Sequence, residues 1–173
     1  PIRETRDIDV PLVARHFYYH AGMAQLMDRE LPDREALGVA GQIIPWNFPL
    51  LMLAWKIAPA IAMGNRVILT ASEPFPLAAT DFIQVLETSD VPAGVVNIIT
   101  GSHAELAPTL AKHLDVDAVW SFSSSDVSAQ IEKASAGNLK RTWVNNSQAL
   151  TPTTHDYLVA ATEVKNIWIP YGE

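Results

Sequence analysis

The chain has no cysteine among its 173 residues. That absence excludes disulfides, zinc–thiolate centres and thiol catalysis together, and it is consistent with a reducing compartment. Positive charge is the next scarcity. Twelve Lys and Arg stand against 19 Asp and Glu, a formal net charge of -7. The basic residues are scattered, which argues against nucleic acid as a partner, because phosphate neutralisation needs clustered cations. Long apolar runs are also missing. The best candidate, residues 48–63, is interrupted by Lys56 and Pro59 and falls short of the roughly 20 residues that span a bilayer. No signal-peptide core follows the opening Pro-Ile-Arg-Glu-Thr-Arg-Asp, so a cytoplasmic protein with no membrane contact is expected. A start at Pro1 without methionine suggests a fragment or a processed piece. The nucleotide fingerprint Gly-x-Gly-x-x-Gly follows none of the predicted strands.

What is present reads as an ordinary globular domain, with 49% apolar residues and enough length to bury most of its apolar surface. Val13, Phe17, Ala21, Ala24 and Met27 recur at helical spacing and predict an amphipathic helix over 8–29. Beyond the breaker Leu31-Pro32-Asp33, segments rich in Val and Ile at 37–44, 66–69, 95–99 and 118–122 read as buried strands. Helical segments at 50–63, 76–86, 104–113 and 126–134 alternate with them. Gly64-Asn65 is a helix stop where positive φ is wanted. The expected fold is α/β: a Rossmann-like parallel sheet with helices on both faces, an N-terminal helix and a C-terminal oligomerisation strand. The expected divisions are a helical segment over 1–35, the α/β domain over 36–149, and a connector over 150–173 with a short helix at 157–161 and a strand at 163–170.

Residues 38–64 carry the most specific sequence, with Ile43-Ile44-Pro45-Trp46-Asn47-Phe48-Pro49 at their centre. This stretch resembles the aldehyde dehydrogenase superfamily, and the likeness runs from the N-terminus to about Leu139. The resemblance implies that Ile44, Pro45 and Trp46 line the nicotinamide end of an NAD channel. It also implies that Asn47 matches the amide that stabilises the oxyanion. Because no thiol is available to create that oxyanion, a vestigial Asn47 serving as a helix cap is favoured. The family's Lys-Pro-Ala-Glu holds the adenosine ribose; here it reads Thr70-Ala71-Ser72-Glu73, so the carboxylate is kept and the cation lost. Glu73 alone also fits a helix-dipole partner.

The family's pyrophosphate segment, Phe-Thr-Gly-Ser-Thr-Glu-Val-Gly, becomes Ser121-Phe122-Ser123-Ser124-Ser125-Asp126-Val127-Ser128. Ser124 matches, while serines replace both glycines where close backbone approach is needed. A serine-capped helix start with Asp126 in its first turn is the simpler reading. Where the family carries Glu-Leu-Gly-Gly, with its general base, this chain reads Asn145-Asn146-Ser147-Gln148. Residues 163–169 resemble the terminal strand of the family's oligomerisation flap.

The pattern is that of a degenerate, cysteine-less second copy from a tandem aldehyde dehydrogenase, with the catalytic domain missing. The implied role is a non-catalytic assembly module, with no cofactor or weak NAD binding through Ile44, Pro45, Trp46, Glu73 and Ser124. Its partner would be a catalytic aldehyde dehydrogenase domain or subunit, or another copy through 163–170. The competing role is an NAD(P)-dependent oxidoreductase fragment completed by another chain, and a nucleotide-binding sensor is a third. His16 and His20 have two-histidine metal spacing but lack a third ligand, so a surface or interface pair is expected and no metal site. The serine-rich 121–125 lacks a nucleophile elbow.

Overall fold

Five short runs of β-branched and apolar residues, each followed by a turn, build one parallel sheet. A computed structural model describes residues 1–149, 152–164, 166 and 168–171. The strands of this sheet are β2 (Val39–Ile43), β3 (Arg66–Thr70), β4 (Val96–Ile99), β5 (Ala118–Ser121) and β6 (Arg141–Val144), in the order β4-β3-β2-β5-β6. The central strand β2 pairs with β3 from Val39–Arg66 to Ile43–Thr70, and with β5 from Ala40–Ala118 to Ile43–Ser121. The chain order therefore runs outward from β2 in one direction and from β5 in the other. A crevice opens at that reversal, beyond the carboxyl ends of the strands.

The pleat sorts side chains between two cores. Ala118 and Trp120 enter the larger one, with Leu53, Ile57 and Leu69. Val119 points to the other face, against Ala107, Leu110 and Ile131. Helix α3 (Pro49–Ala62) is apolar on nearly every side and is buried accordingly. Helix α4 is Leu77–Glu87, α5 His103–Lys112 and α6 Ser125–Ser135. Gly64 takes φ +91° after α3, as a helix stop of this kind requires.

At the N-terminus α1 (Ile2–Glu4), a π-helical turn at Thr5–Asp9 and α2 (Val10–Glu30) follow one another. Two short strands fall outside the sequence expectation. Strand β1 (Arg34–Ala36) has only three residues, two of them charged, and β6 starts with exposed polar positions at the sheet edge, so neither carries an apolar pattern.

The tail departs from expectation as well. Thr153 and Asp156 form a reciprocal cap on α7 (Thr154–Ala160). Strand β7 (Thr162–Val164) then pairs antiparallel with β1 of the same chain, from Arg34–Val164 to Ala36–Thr162. The strand expected at 163–170 thus begins one residue earlier and ends at Val164. Residues 166 and 168–170 lie outside any strand, and Leu150, Thr151, Lys165 and Ile167 fall outside the described residues. Leu158, Ala161 and Thr162 are fully buried. Tyr157 packs edge-on to Trp143 at 5.0 Å and tilts against Trp120 at 6.4 Å. Helix α7 therefore completes the larger core.

His20 is not on the surface, and His16 is half-buried. His20 is 2% exposed, stacked 6.3 Å from His16 and edge-on to Tyr19 at 5.1 Å. An i, i+4 spacing cannot show which face a neighbouring helix covers, and α3 covers this one, with Trp55 5.4 Å from His16. Burial, with the neighbouring His16 charge, pushes the His20 pKa from 6.5 down to about 4. Above 6.5 the ring is neutral in folded and unfolded chains alike. Below it the unfolded chain takes up a proton that the folded chain refuses, until about pH 4. Stability should therefore fall by ~2 kcal/mol between about pH 7 and about pH 5. Urea denaturation should show that loss in the wild type and a smaller one in His20→Phe.

Candidate functional site

The crevice at the strand reversal is a cleft of about 780 Å³. Ile43, Pro45, Trp46 and Asn47 enter it from the end of β2, Glu73 from beyond β3, His103 from the start of α5, and Phe122, Ser123 and Ser124 from beyond β5. The loop after β6 adds Ser147. The structure thus brings together Pro45, Trp46, Asn47, Glu73 and Ser124 from the expected set. Ile44 is not with them. Its side chain is buried in the larger core and its N–H donates to Thr70 O, because the alternation of β2 turns residue 44 away from the cleft.

Asn47 does not cap a helix. Helix α3 begins at Pro49, whose missing N–H suits that position, and the N-cap is Phe48 in a left-handed conformation with φ 51°. Asn47 lies one residue too early, exposed, and its side chain has no hydrogen-bond partner among the described residues. Thr70 is buried and donates to Gln42 O, so it stands beneath the cleft rather than at it. Glu73 Oε2 accepts from His103 N at 2.9 Å, which makes it a dipole partner for α5. The His103 ring closes the same corner through Nε2 and Ala71 O at 2.7 Å.

The start of α6 is satisfied from within. Ser124 Oγ accepts from Val127 N, the expected serine cap. Asn145 Oδ1 accepts from Ser123 N at 2.8 Å, and Ser147 Oγ accepts from Ser125 N at 2.9 Å. The second serine that replaces a glycine does not face the cleft: Ser128 is fully buried, and its Oγ accepts from Asn146 N. Asn146 and Ser147 both take left-handed φ, 50° and 63°. Serine tolerates that region less well than glycine, at a cost of roughly 1 kcal/mol. No Lys or Arg lines the cleft among the described residues.

One cation sits directly below. Lys56, fully buried on α3, donates from Nζ to Ile43 O at 2.5 Å and to Trp120 O at 3.5 Å, and lies 4.4 Å above the Phe122 ring. It ties the ends of β2 and β5 at the reversal. No carboxylate among the described residues pairs with it. The sequence reading passed over Lys56 as an interruption of an apolar run. A lone charge amid that run was the available signal for a buried, bonded amine.

A model of the aldehyde dehydrogenase family matches residues 1–147. The chain belongs to that family. An aldehyde dehydrogenase of Alternaria alternata is 39% identical over 147 residues, covering 79% of this chain and 30% of that protein. PnpE from Pseudomonas sp. WBC-3 superposes with a TM-score of 0.78 at 36% identity, over 83% of this chain and 32% of PnpE. The betaine aldehyde dehydrogenase of Staphylococcus aureus, solved with NAD+, gives 0.72 at 32% identity, over 79% of this chain and 30% of that one. The chain thus spans about a third of the length of these proteins. The α/β fold agrees with the family's nucleotide-binding fold.

Burial without a counter-charge pushes the Lys56 pKa from 10.5 down to about 7. Across that window the unfolded chain holds a proton that the folded chain has released, so stability rises with pH. The rise should be ~2 kcal/mol between about pH 7 and about pH 9. Chemical denaturation should show it in the wild type, and Lys56→Met should flatten the profile.

Proposed function

We propose that this chain is a non-catalytic assembly module of the aldehyde dehydrogenase family with weak or no affinity for NAD. The observation that carries this reading is the start of α6, where Asn145 and Ser147 already accept the N–H groups of Ser123 and Ser125. Amides at a helix N-terminus bind phosphates when they are free and approachable. Here the N–H groups of Ser123, Ser125 and Val127 are committed, Ser123 adds a side chain, and no Lys or Arg among the described residues lines the cleft. A pyrophosphate does not fit these residues. The chain also has no thiol, and Asn145, in place of a carboxylate base, is used as a hydrogen-bond partner. A cytoplasmic setting suits the absence of cysteine.

The assembly partner would be a catalytic aldehyde dehydrogenase domain or subunit, or a second copy of the chain. The two-stranded β1–β7 ribbon supports this, because no third strand pairs with it among the described residues, and Trp168 just beyond it is 93% exposed. A second reading, a dehydrogenase fragment completed by another chain, is favoured by Asn47, whose unpartnered amide faces the cleft.

Calorimetry with NAD should give a Kd above about 1 mM, and aldehyde with NAD should yield no NADH. Micromolar affinity, or NADH formed in proportion to pure protein, would sink the first reading in favour of the second. Deleting residues 165–173 should lower the sedimentation coefficient of any assembled species. If the assembly survives the deletion, the tail has no part in it.

A further inference from the structure

A second cleft lies at the other end of the sheet, where β3 begins and α3 ends. It has about 590 Å³ and is lined along its walls by Phe17, Ala58, Ile61 and Val95. Three polar groups enter it: His20 from α2, Arg66 from the first position of β3, and Asp90 from the loop after α4. His20 is 98% removed from solvent, and its Nδ1 has no hydrogen-bond partner. Buried nitrogens of this kind are rare in native proteins and call for an explanation, of which a ligand is one. Arg66 and Asp90 are exposed, and neither side chain forms a hydrogen bond or ion pair among the described residues. Asn65, on the same wall, is fully committed to Gly38, Ala60 and Ala161. The carbonyl end of α3 also opens here, through Ala62 and Gly64, and favours a positive group.

We propose that this cleft binds a small zwitterion with an apolar side chain, such as a free aliphatic amino acid. The guanidinium of Arg66 takes the carboxylate, and Asp90 with the end of α3 takes the ammonium. The apolar walls take the side chain, and the His20 ring supplies the polar partner at the floor. One positive and one negative group at the mouth match a ligand of no net charge better than a simple acid or amine. The volume lies within the usual range for small-molecule sites, roughly 300–1,000 Å³. Burial keeps the imidazole neutral at physiological pH, so it can accept or donate without a counter-charge. The site is remote from the cleft at the strand reversal, and the proposal stands whether or not NAD binds there.

L-leucine is the probe, titrated into the whole chain by calorimetry and by chemical-shift mapping. 4-Methylpentanoate and isopentylamine, which each carry one of its two charges, are the controls. Leucine should bind and shift resonances of Phe17 and Val95, and each control should bind at least tenfold more weakly. Arg66→Gln and Asp90→Asn change exposed residues and leave the core intact, and each should weaken leucine at least tenfold. Absence of leucine binding in the millimolar range would overturn the proposal. So would undiminished binding to either variant, or a single-charge control that binds as well as leucine.

Discussion

The side chain of Asn65 joins three separate parts of the chain at one buried point. Its oxygen accepts from Gly38 N at 2.9 Å, while its nitrogen donates to Ala60 O at 3.0 Å and to Ala161 O at 2.7 Å. The entry to β2, the end of α3 and the end of α7 are therefore fixed relative to one another by one amide. Ala60 O also accepts from Asn65 N, whereas a buried carbonyl such as that of Ala161 would cost roughly 1–3 kcal/mol if it lost its partner. Arginines extend the arrangement: Arg34 and Arg141 both donate to Thr162 O, from opposite sides of the tail. Gly38 is held to glycine by its φ of +121°, and a Cβ there would also meet the Asp117 carboxylate that accepts from Val39 N.

At the other end of the sheet a single amine has the corresponding role. Lys56 donates to the carbonyls of Ile43 and Trp120 where the paired strands β2 and β5 end, and Phe122 covers it. A cleft built over such a point keeps its shape with or without a ligand. The walls of this one have changed in a consistent way. Serine and asparagine side chains supply hydrogen bonds that free amides and glycines would have left for a phosphate. The scaffold of the family's cleft persists beneath these altered walls.

The parallel sheet was legible because Val, Ile and Leu dominate β3 and β4, apolar residues recur in β2 and β5, and helices of regular length separate them. The start of α6 was legible too, since Ser124 followed by Asp126 is a local signal that needs no tertiary context. What escaped depended on distant partners. Strand β1 exists only because β7 pairs with it, and the burial of His20 only because α3 covers it. Asn47 shows a finer limit: the sequence placed it beside a helix start, but Pro49 and the left-handed Phe48 set the actual boundary one residue on. The internal satisfaction of α6 by Asn145 and Ser147 joins residues 22 apart, beyond the reach of any local pattern.

The docking of the tail has a kinetic consequence. Arg34 meets Thr162 across 128 positions of sequence, whereas the crossovers of the parallel sheet close over far shorter spans. Long loops close late, since their entropy is lost before any contact compensates it. On an N-to-C emerging chain, the five-stranded sheet can assemble before α7 is available. Until then the amide of Asn65 and the slot for Tyr157 and Leu158 stay open. In that order, the insertion of α7 and β7 into a nearly finished core would be the last step of folding. An intermediate at that stage would show native sheet structure and a solvent-accessible Trp120.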